Sequence, residues 1–97
     1  MGLWPMLEKI LVVDDEEYIL ELLRYHLERE YYKVVLARNG NEALAVAKRE
    51  RPDLIILDIM LPGVNGFEVC RILRETSNVP ILMLTAKREE ADRVMGL

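Results

Sequence analysis

Apolar and polar positions along this chain follow two patterns, one typical of buried strands and one typical of amphipathic helices. Short continuous apolar runs rich in β-branched residues predict strands that are buried on both faces. Segments with apolar residues three and four positions apart predict helices with one buried side. The predicted strands span residues 9–13, 33–37, 54–57 and 79–84, and the predicted helices span residues 16–30, 41–51, 65–75 and 89–97.

Strict alternation of strand and helix predicts an α/β domain with a doubly wound parallel sheet. Turn signals separate the elements, and Asn41 is expected to cap the second helix because its side chain suits that position. No repeat, low-complexity stretch or linker marks a second domain. We therefore expect one domain over residues 9–97, preceded by an N-terminal extension over residues 1–8.

Two of the predicted strands end abruptly in acid. Asp14 and Asp15 follow the first strand, and Asp58 follows the third. The carboxyl ends of parallel strands meet at one edge of a sheet, where ligands bind. Three carboxylates at that edge repel one another unless a cation joins them. A hard, oxygen-seeking ion such as Mg²⁺ is the natural candidate.

Composition and charge narrow the function classes. The chain is 52% hydrophobic and 31% charged, as expected for a globular domain. Its net charge of −4 argues against direct nucleic-acid contact by this segment. The single cysteine, Cys70, allows no internal disulfide and fits a reducing compartment, here the cytoplasm. No apolar run approaches membrane-spanning length, so no membrane contact is expected.

Four motifs carry a resemblance to a known family. They are Val-Val-Asp-Asp-Glu at residues 12–16, Pro-Asp-Leu-Ile-Ile-Leu-Asp-Ile-Met-Leu-Pro-Gly at 52–63, Asn-Gly-Phe-Glu at 65–68 and Pro-Ile-Leu-Met-Leu-Thr-Ala at 80–86. In this order and spacing, the chain resembles the receiver domains of two-component response regulators, especially those of winged-helix transcription regulators. The resemblance implies a flavodoxin-like sheet and a phosphoacceptor that receives its phosphoryl group from a sensor histidine kinase.

The resemblance also implies a role for each site residue. Asp58 would accept the phosphoryl group. Asp15, Asp58 and the backbone carbonyl of Met60 would bind Mg²⁺, and Asp14 would assist through water. Thr85 would donate its hydroxyl to the phosphoryl oxygens. The domain would not be an enzyme acting on a separate substrate, although it would catalyse its own phosphorylation and dephosphorylation.

The sequence departs from the family at its end and after the first helix. The family's fifth strand and helix, with their lysine, are absent, so the expected strand order is 2-1-3-4. The fourth strand would then be an exposed apolar edge, which favours a homodimer or a domain-exchanged oligomer. Tyr31 stands where the family often has glycine, so we expect the first helix to end without the usual left-handed cap.

Other functions fit less well or stay open. A truncated or engineered receiver fragment with no working switch, forming a self-associated assembly, is the alternative. An aspartate-nucleophile phosphatase of another class would need an acid where Met60 stands. A dinucleotide-binding turn would need a glycine-rich motif after the first strand, where the chain has acids. Any DNA binding would belong to a missing output domain.

Overall fold

Strands and helices alternate throughout residues 8–84, the part of the chain that the computed structural model describes. The strands are β1 (Lys9–Val13), β2 (Lys33–Ala37), β3 (Leu54–Asp58) and β4 (Ile81–Leu84), and the helices are α1 (Glu17–Arg29), α2 (Gly40–Glu50) and α3 (Gly66–Arg74). The bounds of β1 and β2 are as predicted. The helix predicted over residues 89–97 lies outside the described residues.

The four strands form one parallel sheet in the order β2-β1-β3-β4. This confirms the predicted α/β fold and its strand order. In the register of the two central strands, Val13 pairs with Leu57. Each of these residues is followed directly by an aspartate, so the register brings Asp14 and Asp58 to the same level of the sheet.

Side chains of the central strands enter two separate apolar clusters. Leu11 and Val13 pack in a cluster with Val46 of α2 and Val69 of α3. Ile10 and Val12, which alternate with them, pack in a second cluster with Leu20 of α1 and other residues. Because a strand points alternate side chains to opposite faces, helices cover both faces of the sheet. This explains why the runs before the acids are apolar throughout.

Hydrogen bonds and an ion pair also stabilise the amino ends of the central strands. The Lys9 backbone N–H donates to the Asp53 carboxylate at 2.9 Å, and the Asp53 N–H donates to the Lys9 carbonyl at 2.7 Å. The Lys9 ammonium also pairs with the Glu50 carboxylate at 2.9 Å. Strand β3 is therefore fastened to β1 just before it begins.

Strand β4 is shorter and more exposed than predicted. It begins at Ile81 rather than at Val79, whose N–H donates instead to the Ser77 hydroxyl at 3.0 Å. Its burial alternates, and Leu82 and Leu84 remain 51% and 42% exposed. Within residues 8–84, β4 pairs only with β3. The interpretation of this segment as a strand buried on both faces was wrong, because apolar residues alone do not show what covers them. The expectation of an exposed apolar edge agrees with the structure of residues 8–84.

Two helix ends differ from expectation. Asn39, not Asn41, caps α2, because its side chain accepts a hydrogen bond from the Glu42 N–H at 2.8 Å. Tyr31 adopts the left-handed conformation after α1, with a φ of 72°, although it is not glycine. Asn65 caps α3, because its side chain accepts a hydrogen bond from the Glu68 N–H at 3.0 Å. None of the helices within residues 8–84 has the length and apolar character needed to cross a membrane.

Candidate functional site

Three carboxylates converge at the carboxyl edge of the sheet. Asp14 follows the last residue of β1, Asp58 is the last residue of β3, and Asp15 begins the connection to α1. One carboxylate oxygen from each lies within 4.8 Å of the others. The cluster predicted from the two acidic strand ends is therefore present.

Burial and repulsion both act on the two inner acids. Asp14 and Asp58 are only 7% and 4% exposed, whereas Asp15 is exposed. Burial is the main reason why the pKa of each inner carboxyl is raised above its usual range, and the negative charge of Asp15 adds to the effect. Within residues 8–84, no lysine or arginine forms an ion pair with any of the three. Their negative charge is not compensated by a basic side chain of that part of the chain.

Backbone N–H groups orient the inner carboxylates. The N–H of Glu16 donates to Asp14 Oδ1 at 2.9 Å, and the N–H of Met60 donates to Asp58 Oδ1 at 3.0 Å. Each acid is thus held by a residue two positions further along the chain. These bonds lower the pKa of both carboxyls, but less than burial raises it.

The loop after β3 is fixed at both ends. The Ile59 N–H donates to the Leu84 carbonyl at 2.8 Å, and the Gly66 N–H donates to the Ile59 carbonyl at 3.0 Å. The start of α3 is therefore attached to the chain directly after Asp58. Met60 lies within this loop with its side chain 43% exposed, and its N–H is the group that holds Asp58.

Thr85 lies outside the described residues. The residue before it, Leu84, pairs with Asp58 in the β3–β4 ladder.

The donor set fits a magnesium ion. Carboxylate and carbonyl oxygens are the ligands that Mg²⁺ prefers, with one or two carboxylates usual. Asp15 is exposed and Asp58 is buried, so an ion at the cluster would meet one carboxylate on the solvent side and one positioned by the sheet. A divalent cation would also remove the repulsion that the described basic residues leave in place.

An open depression of about 530 Å³ adjoins the acid cluster. Asp15 and Met60 line one part of it, and Pro62, Asn65 and Phe67 line another. Phe67 is 62% exposed although it lies in the first turn of α3. Sequence reasoning did not single out this surface, because a helical phenylalanine ordinarily indicates a buried position.

The fold and the acid cluster define a class: a doubly wound α/β domain with a carboxylate site at a strand-end edge. Comparison with protein families is more specific. The family model for the response regulator receiver domain matches residues 10–97. The chain therefore belongs to the receiver domain family of two-component response regulators.

Individual relatives agree with this assignment. The chain is 59% identical to the alkaline phosphatase synthesis transcriptional regulatory protein PhoP of Bacillus subtilis, over 95% of this chain and 39% of PhoP. It is 58% identical to the transcriptional regulatory protein ResD of the same organism, over 91% of this chain and 37% of ResD. The chain thus spans less than two-fifths of the length of either regulator.

Solved structures share the fold. The response regulator TrrA from Thermotoga maritima, crystallised in complex with Mg²⁺-BeF, superposes with a TM-score of 0.79 at 43% identity, over 86% of this chain and 73% of TrrA. Receiver domains are phosphorylated by sensor histidine kinases and bind Mg²⁺ at an acidic pocket. The acid cluster, with its three carboxylates, has the composition of such a pocket.

Proposed function

We propose that this domain accepts a phosphoryl group on Asp58 from a phosphohistidine of a sensor histidine kinase. The observation that carries the proposal is the buried Asp58 carboxylate beside two further acids, with no ion-pairing cation among residues 8–84. A carboxylate is a competent nucleophile for phosphoryl transfer. Asp58 lies at the carboxyl edge of the sheet, which is where proteins with such folds bind their ligands.

Three groups of this chain would hold the metal directly: the carboxylates of Asp15 and Asp58 and the backbone carbonyl of Met60. Asp14 would act through a bound water. When bound, Mg²⁺ supplies positive charge that offsets the repulsion between the acids and the incoming phosphoryl oxygens. Asp58 is held for this task by the Met60 N–H, which fixes one of its oxygens at 3.0 Å.

In the transfer step, a carboxylate oxygen of Asp58 forms a bond to phosphorus while the phosphorus–nitrogen bond of the phosphohistidine breaks. The electron pair of the broken bond stays with the imidazole nitrogen. The product on this chain is an acyl phosphate. The Thr85 hydroxyl would donate a hydrogen bond to one phosphoryl oxygen. The domain acts as a phosphoacceptor that promotes its own modification, rather than as an enzyme with a separate substrate.

Intact mass after incubation with Mg²⁺ and acetyl phosphate tests the proposal. We expect a gain of one phosphoryl group in the wild type and none in Asp58→Asn. Asp53→Asn is the matched control, because it makes the same chemical change at the opposite end of β3, where Asp53 bonds Lys9. An unmodified wild type, shown to be folded, would contradict the proposal and favour a receiver scaffold without a working switch.

We further propose that this domain regulates transcription in the cytoplasm, through DNA contacts made outside residues 9–97. The related PhoP and ResD are transcriptional regulatory proteins, which supports this output. The net charge of −4 makes the described domain itself a poor partner for nucleic acid.

The 97-residue chain is also proposed to self-associate, as a homodimer or a domain-exchanged oligomer. Strand β4 pairs only with β3 within residues 8–84, and Leu82 and Leu84 expose apolar surface on it. An apolar edge strand is a template for pairing with another strand. A second copy of the chain offers the same edge and the same apolar residues.

A further inference from the structure

Gly66, the first residue of α3, approaches the end of β3 more closely than any residue with a side chain could. A Cβ atom added to Gly66 would lie 2.7 Å from the backbone oxygen of Asp58 and 2.8 Å from the Cα of Ile59. Both atoms belong to the backbone, so neither can move aside as a flexible side chain would. The position therefore requires glycine for reasons of space.

We infer that Gly66 is a positioning residue for the acid site: its missing side chain lets α3 hold Asp58 and Met60 where they bind metal. The inference rests on the proposed function of Asp58. Gly66 donates its N–H to the Ile59 carbonyl at 3.0 Å, between the acid and the proposed carbonyl ligand. The same short loop carries the Met60 N–H that orients Asp58.

A side chain at Gly66 has one way to be accommodated. The helix start and the end of β3 must separate, because the clash is with the backbone on the β3 side. Such a separation would shift the Asp58 carboxylate and the Met60 carbonyl relative to Asp15, which follows the other central strand, β1. Residues that orient the ligands of a metal from outside its coordination sphere typically change the protein's affinity for that metal 10–100-fold when they are altered.

Gly63, in the loop that leads to Gly66, provides a matched control. It has a φ of 75°, and an added Cβ would have no atom within 4 Å. Gly63→Ala therefore strains the backbone locally without pushing on β3. Both variants add one methyl group, one within the loop after β3 and one where that loop meets α3. Only Gly66→Ala should displace the acid site.

Magnesium affinity, measured by calorimetric titration with MgCl₂ on the folded 97-residue chain, is the first test. We expect Gly66→Ala to bind Mg²⁺ at least about tenfold more weakly than the wild type, and Gly63→Ala to remain within about twofold of it. Equal affinities for the two variants would overturn the inference. A wild type that binds no Mg²⁺ and accepts no phosphoryl group would instead overturn the proposed function.

Hydrogen exchange of the wild type keeps the inference testable if Gly66→Ala does not fold. The Gly66 amide is bonded to the chain between Asp58 and Met60, so fixing those two residues with Mg²⁺ should slow its exchange. The Glu42 amide, bonded to the Asn39 cap of α2, serves as the internal reference. Exchange at Gly66 that slows no more than exchange at Glu42 would count against the positioning role.

Discussion

Asp14 directly follows strand β1 and Asp58 ends the neighbouring strand β3 at the same level of the sheet. Both carboxylates are buried, and each accepts a hydrogen bond from a backbone N–H two residues further along the chain. Two like charges in such a position destabilise the folded state relative to the unfolded one. This relationship makes the site a source of instability that a cation can remove, and it leads to measurable consequences for stability.

Magnesium should stabilise the protein through Asp15. Unfolding by urea in increasing MgCl₂ should show a gain of about 2.7 kcal/mol when the free ion reaches 100 times its dissociation constant. Asp15→Asn should lose most of this gain. Because Asp15 is exposed, its replacement should change the metal-free stability little. An equal response to Mg²⁺ in both proteins would show that Asp15 is not a ligand.

The stability of the metal-free protein should depend on pH through Asp58. Its pKa is raised by burial above the ordinary value of 3.8, so the folded state holds the proton more tightly than the unfolded state does. The resulting stabilisation is complete below the unfolded pKa and is lost as pH rises through the raised folded pKa. Asp58→Asn, which cannot ionise, lacks this loss.

We therefore expect Asp58→Asn to be more stable than the wild type at neutral pH, by about 1 kcal/mol, the usual size of a single-residue effect. The difference should shrink as pH approaches the ordinary value of 3.8, and also when Mg²⁺ is added at neutral pH. Urea unfolding of the two proteins across this range measures it. A difference that is independent of pH would rule out the ionisation of the buried Asp58 carboxyl as the cause.

Replacing Tyr31 by glycine should stabilise the protein. Tyr31 has a φ of 72°, a conformation that costs residues with a side chain about 1–2 kcal/mol, and its ring is 76% exposed, so little packing is lost. The greater freedom of glycine in the unfolded chain offsets about 0.5–1 kcal/mol of the gain. Tyr32→Gly is the control and should destabilise, because Tyr32 has no positive φ to relieve. Thermal unfolding would decide the matter.

Positive charges on strand β4 should reduce self-association. Leu82→Lys combined with Leu84→Lys places two ammonium groups where β4 exposes apolar surface. Charged residues, lysine especially, are a common defence of edge strands. Light scattering should show an associated wild type and a monomeric variant, whereas Leu22→Lys on the exposed side of α1 should leave the assembly unchanged. A monomeric wild type would contradict association through β4.

The positions of the strands and of the acid cluster could be predicted because a single sequence feature determines both. Continuous apolar runs mark the two-face-buried strands, and each run ends at the aspartate that enters the site. The register of β1 with β3 then brings Asp14 and Asp58 together without any further information. The resemblance to receiver domains added roles to these residues.

The features that were missed depend on contacts that the sequence does not encode locally. Asn39 and Asn41 flank the same glycine and suit a cap equally well, and the choice between them depends on where the helix backbone begins. The burial of β4 on both faces was wrongly inferred from its apolar residues, because the exposure of Leu82 depends on what covers the strand and not on the residue itself. The tight space around Gly66 arises from a strand and a helix that meet only in the folded chain.

The bonds that join Lys9 to Asp53 and Glu50 make the two ends of the sheet unequal in stability. At the amino end of the sheet, hydrogen bonds and one ion pair stabilise the start of β1 and β3. At the carboxyl end, three carboxylates repel one another. Unfolding by heat or denaturant should therefore begin at the carboxyl end of the sheet and reach the amino end last. A cation or a phosphoryl group that binds among these carboxylates acts at the end of the sheet that repulsion destabilises. A small ligand can therefore change the stability of that whole edge.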